Sequence, residues 1–364
     1  MERQHDFSVF MITYNHEKFI EQAIRSVLEQ EFEGSIQIVV GVDKSKDNTL
    51  QICKKIQAEF PQVIELYEYE ENIGMFQNFY NSLKACKGKY IAILEGDDYW
   101  TYKKKLQEQF DYFEKHPNCI LSAGHVDLVD EHSINHGNTL DSNPGDYKIL
   151  LKEDLVVINQ LNALTTAFRH SAVDLKELQK LKASPHLDWG FYLSLRFPEN
   201  GYINKFNKIF GSYRQHAGGV YSQVSEEKRN ENVLKTIFSI CGLEIESRYK
   251  NYLQALFANY SLKLSVKKFI EEEPVRNFYK EELIIYSENG KVKTSFIKEL
   301  YQSAILFLGN RNKNRSSFKL KWELLRQTRP GRKTYFNFFL MPLYPVVMLL
   351  KKRESSLKNN IATS

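Results

Sequence analysis

The feature that most constrains this 364-residue chain is an alternation near its N-terminus. Short apolar runs, FSVFMIT (Phe7 to Thr13), IQIVVGV (Ile36 to Val42), VIELYEY (Val63 to Tyr69) and YIAIL (Tyr90 to Leu94), are separated by stretches of helical periodicity. After Asn15, a residue type suited to an N-cap, Ile20, Ala23, Ile24, Val27 and Leu28 recur at helical spacing. A second helix is expected through Ile52, Ile56 and Phe60, and a third from Phe76 to Ala85. Strands and helices alternating at these lengths predict right-handed βαβ units and a mostly parallel α/β sheet flanked by helices. Ligands of such sheets bind beyond the carboxyl ends of the strands.

Three polar groups fall at those ends: Thr13 to Asn15, Asp43, and the cluster Glu95, Asp97 and Asp98 in AILEGDDYW. Carboxylates are costly to desolvate without partners, and like charges repel. One reading makes Asp97 or Asp98 the cap of the following helix, which accounts for a single carboxylate. A hard divalent cation, Mg²⁺ or Mn²⁺, accounts for all three, because it takes carboxylate oxygens and completes its shell with phosphates. Asp47 is read as a cap of the second helix, whereas Asp43 lies where the polar edge of a nucleotide could be read.

Farther along, strand-like runs cover Cys119 to Val129 and Asn162 to Arg169, and a helix is expected through LDWGFYLSL. Helical periodicity dominates from Ser225, with an apolar stripe through Tyr252, Leu256, Tyr260 and Leu264. The boundary is placed at residue 223, giving an α/β domain over 1–223, a helical domain over 224–330 and a basic, apolar tail over 331–364.

Four cysteines (Cys53, Cys86, Cys119, Cys241) without a CxxC pair argue against a zinc site and a disulfide framework. The N-terminal MERQHDFSVF carries charges where a signal peptide needs an apolar stretch, so a cytoplasmic location is expected. A dinucleotide-binding enzyme needs glycines after the first strand, and this chain has TYNHEK there. Residues 311–364 hold 13 Lys and Arg against two Glu, although the whole chain carries only +5. The tail's aromatics form an apolar block rather than interleaving with the basic residues, which disfavours nucleic acid as a partner.

VFMITYNHEKFIEQAIRSVLEQ, GVDKSKDNT, ENIGMFQNFYNSLKACKGKYIAILEGDDYW and LDWGFYLSL occur in that order. Together they resemble glycosyltransferase family 2, inverting transferases of the GT-A fold, of the bacterial polysaccharide and lipopolysaccharide type. The resemblance covers roughly residues 6–225. It implies that Thr13, Tyr14 and Asn15 touch the nucleoside, that Asp43 binds the base, and that the acidic motif holds the metal and the donor diphosphate. Asp98 and Glu95 are thereby assigned to the metal and Asp97 to the donor. Asp188, before Trp189, becomes the catalytic base; read from the residues alone, it caps a helix equally well. In YRQHAGGVYS, Arg214 and His216 ahead of Gly218 and Gly219 are expected to close over the diphosphate, or else to form an ordinary surface loop.

The family's usual two Asp and a Gly after the second strand are Val42, Asp43 and Lys44 here, and its leading acidic Asp is Glu95. No Gln-x-x-Arg-Trp motif is present, which points to transfer of a single sugar rather than chain synthesis; the resemblance implies a UDP-linked donor and a glycan or lipid-linked acceptor. An inactive nucleotide-sugar-binding scaffold is the alternative.

Thr334 to Leu350 carries no charge but spans only 17 residues and contains Pro342 and Pro345, too short and too broken for a spanning helix. Basic residues flank it on both sides, so in-plane attachment to the cytoplasmic face of the membrane is expected, with a buried core segment as the other reading.

Overall fold

The computed structural model describes residues 5–138, 147–157, 159–219 and 225–245. The chain divides into two units, residues 1–182 with 187–224, and residues 183–186 with 225–364.

In the first unit the opening alternation becomes β1 (His5–Thr13), α1 (Ile20–Leu28), β2 (Ile36–Val42), α2 (Thr49–Glu59), β3 (Ile64–Glu68), α3 (Gly74–Ala85) and β4 (Gly88–Ile93). The runs of β1, β2 and β4 are strands covered on both faces, whereas β3 is a partly exposed edge strand. Phe7, Val9, Phe10, Met11, Ile38, Val39, Val40, Tyr90, Ile91 and Ala92 have no exposed surface. β2 and β4 flank β1 and β3 extends from β2, all parallel, giving the order β3-β2-β1-β4. The chain winds outward from β1 to β3 and then returns to β1's other side. That reversal opens a crevice at the carboxyl ends of β1 and β4.

The other half of the sheet is mixed, where a mostly parallel sheet was expected. β5 (Tyr99–Trp100), α4 (Lys105–Lys115), β6 (Cys119–Asp130), β7 (Asn135–Asn138), β8 (Tyr147–Leu150), α5 (Lys152–Val157), β9 (Ala167–Arg169), α6 (Leu175–Gln179), α7 (Leu187–Ser194) and β10 (Tyr202–Gln215) complete the first unit. β9 lies antiparallel between β4 and β6, β10 runs parallel to β6, and β5 and β8 pair antiparallel with β10. The run from Asn162 is strand only over Ala167–Arg169, because Ala163–Thr165 coils into a 3₁₀ turn.

Asn15 does not cap α1. It sits at φ 55°, a left-handed conformation that Asn tolerates, and its Oδ1 accepts from the N–H of Lys46 at 2.8 Å. The helix is opened instead by the carbonyl of His16, which accepts from the N–H groups of Phe19 and Ile20. Nor do Asp97 and Asp98 cap α4, which begins at Lys105 after Lys104. Asp47 does bind the start of α2, accepting from the N–H and hydroxyl of Thr49.

In the second unit α8 (Glu226–Cys241) is capped by the Ser225 hydroxyl, which accepts from the N–H of Lys228. The stripe from Tyr252 to Leu264, most of the helical region and the tail lie outside the described residues. Among those described, no helix is long and apolar enough to cross a membrane.

Candidate functional site

The exits of β1, β2 and β4 meet at the crevice. The N–H of Gly96 donates to the carbonyl of Ile12 and that of Asp43 to the carbonyl of Thr13, so the loops leaving the strands are stitched to one another. Thr13 is buried and its hydroxyl makes no hydrogen bond, while Tyr14 is 40% exposed. Asn15 is spent on bridging the loops after β1 and β2, through Lys46 and through its own N–H to the Ser45 hydroxyl at 3.0 Å.

Asp43 is only 3% exposed. Its Oδ1 accepts from the N–H groups of Lys44 (2.8 Å) and Ile73 (2.9 Å), and Oδ2 from that of Gly74 (2.9 Å). The carboxylate thus anchors the start of α3, where the helix dipole favours a negative charge.

In the acidic turn, three neighbouring carboxylates meet three environments. Asp97 faces the crevice: its Oδ2 lies 3.0 Å from His216 Nε2 and 3.8 Å from His16 Nε2. Burial alone would raise its carboxyl, but the His216 hydrogen bond and the two imidazoles bring it below the usual range. Asp98 points inward, where Oδ1 accepts from the N–H of Arg214 at 2.8 Å, and burial beside Asp97 and Glu95 pushes its carboxyl well up. Glu95 Oε2 is buried without a hydrogen bond, and burial together with Asp97 and Asp188 raises its carboxyl to about 8. Adjacent groups of one kind are thereby separated into an ionised acid and two that resist ionisation.

Asp188 lies in the first turn of α7, inside the helix rather than before it. Its Oδ2 accepts from Asn159 Nδ2 at 2.7 Å, and Trp189 Nε1 anchors the helix by donating to the Leu155 carbonyl at 2.6 Å. Burial raises the Asp188 carboxyl, opposed by the Trp189 N–H and the Asn159 amide.

Arg214 is 3% exposed and does not reach over the crevice. Its guanidinium donates to the carbonyls of Asp97, Asp130 and Glu131, to the Ser133 hydroxyl and to Gln22 Oε1, and lies over the rings of Phe19 and Tyr99. The guanidinium thus ties the acidic turn to the turn after β6 and to α1. His216, two residues on, does face the crevice.

The structure therefore brings Asp97, His216 and His16 together, each offering one ligand atom within 4.8 Å of the others. This differs from the expected metal pair Asp98 and Glu95. One carboxylate oxygen and two imidazole nitrogens form a donor set that suits a divalent transition ion. His16, Asn159 and Tyr213 were not singled out in the sequence. Tyr213, on β10, is half-buried, and burial and the charges of Asp98, Asp97, Glu95 and Asp188 raise its phenol. Only His16 carried a signal, its place directly after Thr13, Tyr14 and Asn15.

Among curated proteins, the chain is 28% identical over 225 residues to the uncharacterized protein Rv1520 of Mycobacterium tuberculosis, covering 61% of this chain and 62% of that protein. It is 31% identical over 175 residues to the dTDP-rhamnosyl transferase RfbG of Shigella flexneri, covering 42% of this chain and 59% of that one. The matches thus span about three fifths of these relatives' lengths. Among solved structures, S. aureus TarS 1-349 in complex with UDP-GlcNAc superposes with a TM-score of 0.56 at 18% identity, over 85% of this chain and 93% of that one. The same protein in complex with UDP gives 0.54 at 18% identity, over 92% and 90%. These likenesses establish the GT-A fold. The family model named Glycosyl transferase family 2 matches residues 8–172, from β1 through the acidic turn to β9. It is thus residues 8–172, a little under half of the chain, that match glycosyl transferase family 2.

Proposed function

We propose that this chain is an inverting glycosyltransferase that moves one sugar from a nucleotide-sugar donor to a hydroxyl of a glycan or lipid-linked acceptor, in the assembly of a cell-surface polysaccharide. The observation that carries the reading is the division of labour among the carboxylates at the switch-point crevice. Asp97 stays ionised between two imidazoles, and Asp188 stands apart from that pair with its carboxyl raised toward working pH.

In the reaction, the acceptor oxygen attacks the anomeric carbon from the face opposite the nucleotide. Its proton passes to Asp188, the carbon–oxygen bond to the diphosphate breaks, and the nucleoside diphosphate departs with that electron pair. A carboxylate serves best as general base when its pKa lies near the operating pH, and burial moves Asp188 that way. Asn159, by donating to Oδ2, fixes the carboxylate's orientation. Asp97 and His216 are the residues that would hold Mn²⁺ or Mg²⁺, which when bound stabilises negative charge on the leaving diphosphate. Asp43 anchors the loop against which the base would lie, and Tyr14 offers it an exposed ring. For the donor we favour a UDP-sugar, since TarS was solved with UDP and UDP-GlcNAc. The name of RfbG makes dTDP-sugars the first comparison.

A panel of UDP-, dTDP- and GDP-sugars with Mn²⁺, read by thermal shift and by release of nucleoside diphosphate, tests this. A donor at 100 times its Kd stabilises the folded chain by about 2.7 kcal/mol. One donor class that both stabilises the chain and is turned over supports the transferase. Stabilisation without release under any cation would identify an inactive binding scaffold.

The tail belongs to the same reading. Basic residues on both sides of Thr334 to Leu350 favour peripheral attachment to the cytoplasmic face of the membrane, near a lipid-linked acceptor. Deleting residues 331–364 should release the protein from anionic vesicles while donor binding persists. A full-length chain that ignores such vesicles at low salt would overturn it.

A further inference from the structure

His16 is held in place before any ligand arrives. Its N–H donates to the Thr49 hydroxyl at 2.8 Å and its carbonyl opens α1. The ring stands edge-on to His216, centroids 6.0 Å apart, and Nε2 lies 3.8 Å from the Asp97 oxygen that His216 meets at 3.0 Å. Gly96 makes this possible, because a Cβ there would come within 2.6 Å of Thr13 Oγ1 and 3.0 Å of His16 Nδ1. Those two atoms border one small space, and both are buried without hydrogen-bond partners.

A metal-binding imidazole is usually oriented from behind, its second nitrogen turned to an oxygen that fixes the tautomer. His16 Nδ1 is buried on the side of Gly96 and Thr13, and Nε2 is the nitrogen turned toward Asp97. The three ligand atoms come from the β1 exit, the acidic turn and the end of β10, all fixed by backbone hydrogen bonds of the fold. Nothing in the set waits for a nucleotide to complete it.

We propose that His16 is a third protein ligand of the cation, so that the site is assembled before the donor binds and takes Mn²⁺ in preference to Mg²⁺. This rests on the reading that Asp97 and His216 hold a cation. Mg²⁺ keeps its waters and is bound through one or two carboxylates plus substrate phosphates, so a site with two imidazoles and one carboxylate serves it poorly without a nucleotide. Imidazole suits the borderline transition ions. The site therefore gains its selectivity from nitrogen donors and its independence of the donor from the number of protein ligands.

The test is Mn²⁺ titrated into the full chain without nucleotide, free Mn²⁺ being read by electron paramagnetic resonance and bound nitrogens by pulsed measurements on the complex. We expect one Mn²⁺ per chain, couplings from two imidazole nitrogens, and retention against a tenfold excess of Mg²⁺. His16→Gln should leave one nitrogen and weaken binding at least roughly 10-fold, since even outer partners of metal ligands are worth about 10–100-fold. One nitrogen in the wild-type complex, unchanged couplings in His16→Gln, or displacement by equimolar Mg²⁺ would each overturn the proposal. The wild-type nitrogen count decides even if the variant fails to fold. Release of nucleoside diphosphate is scored separately: turnover with a one-nitrogen complex removes His16 and leaves the transferase standing. A two-nitrogen site in a chain that binds no donor does the reverse.

Discussion

The backbone N–H of Arg214 donates to Oδ1 of Asp98 at 2.8 Å, while the same residue's Nε donates to the carbonyl of Asp97 at 2.9 Å. One residue of β10 thus grips both acids of the turn, drawing the Asp98 side chain inward and leaving that of Asp97 on the crevice side. Two positions later the strand end delivers His216 to Asp97. The different ionisation of two adjacent aspartates follows from this single crossing of strand and turn.

Asp97→Asn and Asp98→Asn should therefore behave differently. Asp97→Asn removes the only carboxylate of the ligand group, so Mn²⁺ binding should be lost and kcat should fall by about 10²–10³, as on loss of one preorganised electrostatic group. Asp98→Asn keeps an oxygen for the Arg214 N–H and removes a charge that burial already suppresses. Its Mn²⁺ binding should persist, weakened by no more than the roughly 10–100-fold that outer groups of a metal site contribute. Calorimetric titration of both variants checks this, and the reverse ranking returns the metal to Asp98.

Asp188→Asn preserves the contact with Asn159 and the place in the first turn of α7, so thermal stability should hardly change. It cannot accept the acceptor's proton, and the rate should fall by about 10²–10⁴ with donor affinity intact. In the wild type, the rate should decline as pH falls through the raised pKa of Asp188. That acid limb should vanish from the residual activity of the variant. A variant near the wild-type rate makes Asp188 a structural residue only.

Stability should depend on pH through Glu95, whose carboxyl is raised to about 8 by burial and by Asp97 and Asp188. The unfolded chain releases that proton near the ordinary value of about 4.3. Between that value and about 8 the folded state therefore binds the extra proton, and stability from this group declines as pH rises through the window. Without added cation, the urea midpoint should drop from pH 5 to pH 8, and Glu95→Gln should flatten the drop. Equal slopes in the two proteins would show Glu95 ionised throughout.

The first half of the fold was legible because its signals are local. Phe7 to Thr13 and Ile36 to Val42 are apolar on both faces, and the residues between them keep a helical period. The second half was harder because its strands are short and pair with distant segments. Tyr99–Trp100 is a strand only through its contact with β10, and Ala167–Arg169 only by fitting between β4 and β6. The site shows the same division. The acidic turn announces itself, but which of its carboxylates meets a cation depends on where Arg214 draws Asp98. His16 gains its meaning only when His216, far along the chain, arrives beside it. Asn15 was misread for a physical reason. The residue type that caps helices also tolerates the left-handed backbone, and here the second property decided its place.

Arg214 offers the sharpest separation between what its surroundings in the sequence suggest and what the structure assigns. An Arg near a His and two glycines resembles an anion-binding loop, and in that role its loss would weaken donor binding and leave the fold alone. In the structure the guanidinium is buried and donates to three carbonyls, a hydroxyl and an amide oxygen, joining the acidic turn, the turn after β6 and α1. Arg214→Lys keeps the charge but loses the planar fork, so several of these acceptors lose their donor. Hydrogen bonds to charged groups contribute about 1.5–3 kcal/mol each, and a Lys can remake only some, so a loss of about 2–4 kcal/mol in unfolding free energy is expected. Mn²⁺ affinity should fall with it, because the clamp that sets Asp97 opposite His216 is loosened. Donor KM, measured at saturating Mn²⁺ and below the variant's unfolding temperature, should stay near wild type. A variant of unchanged stability whose donor KM rises sharply would place the guanidinium on the diphosphate after all.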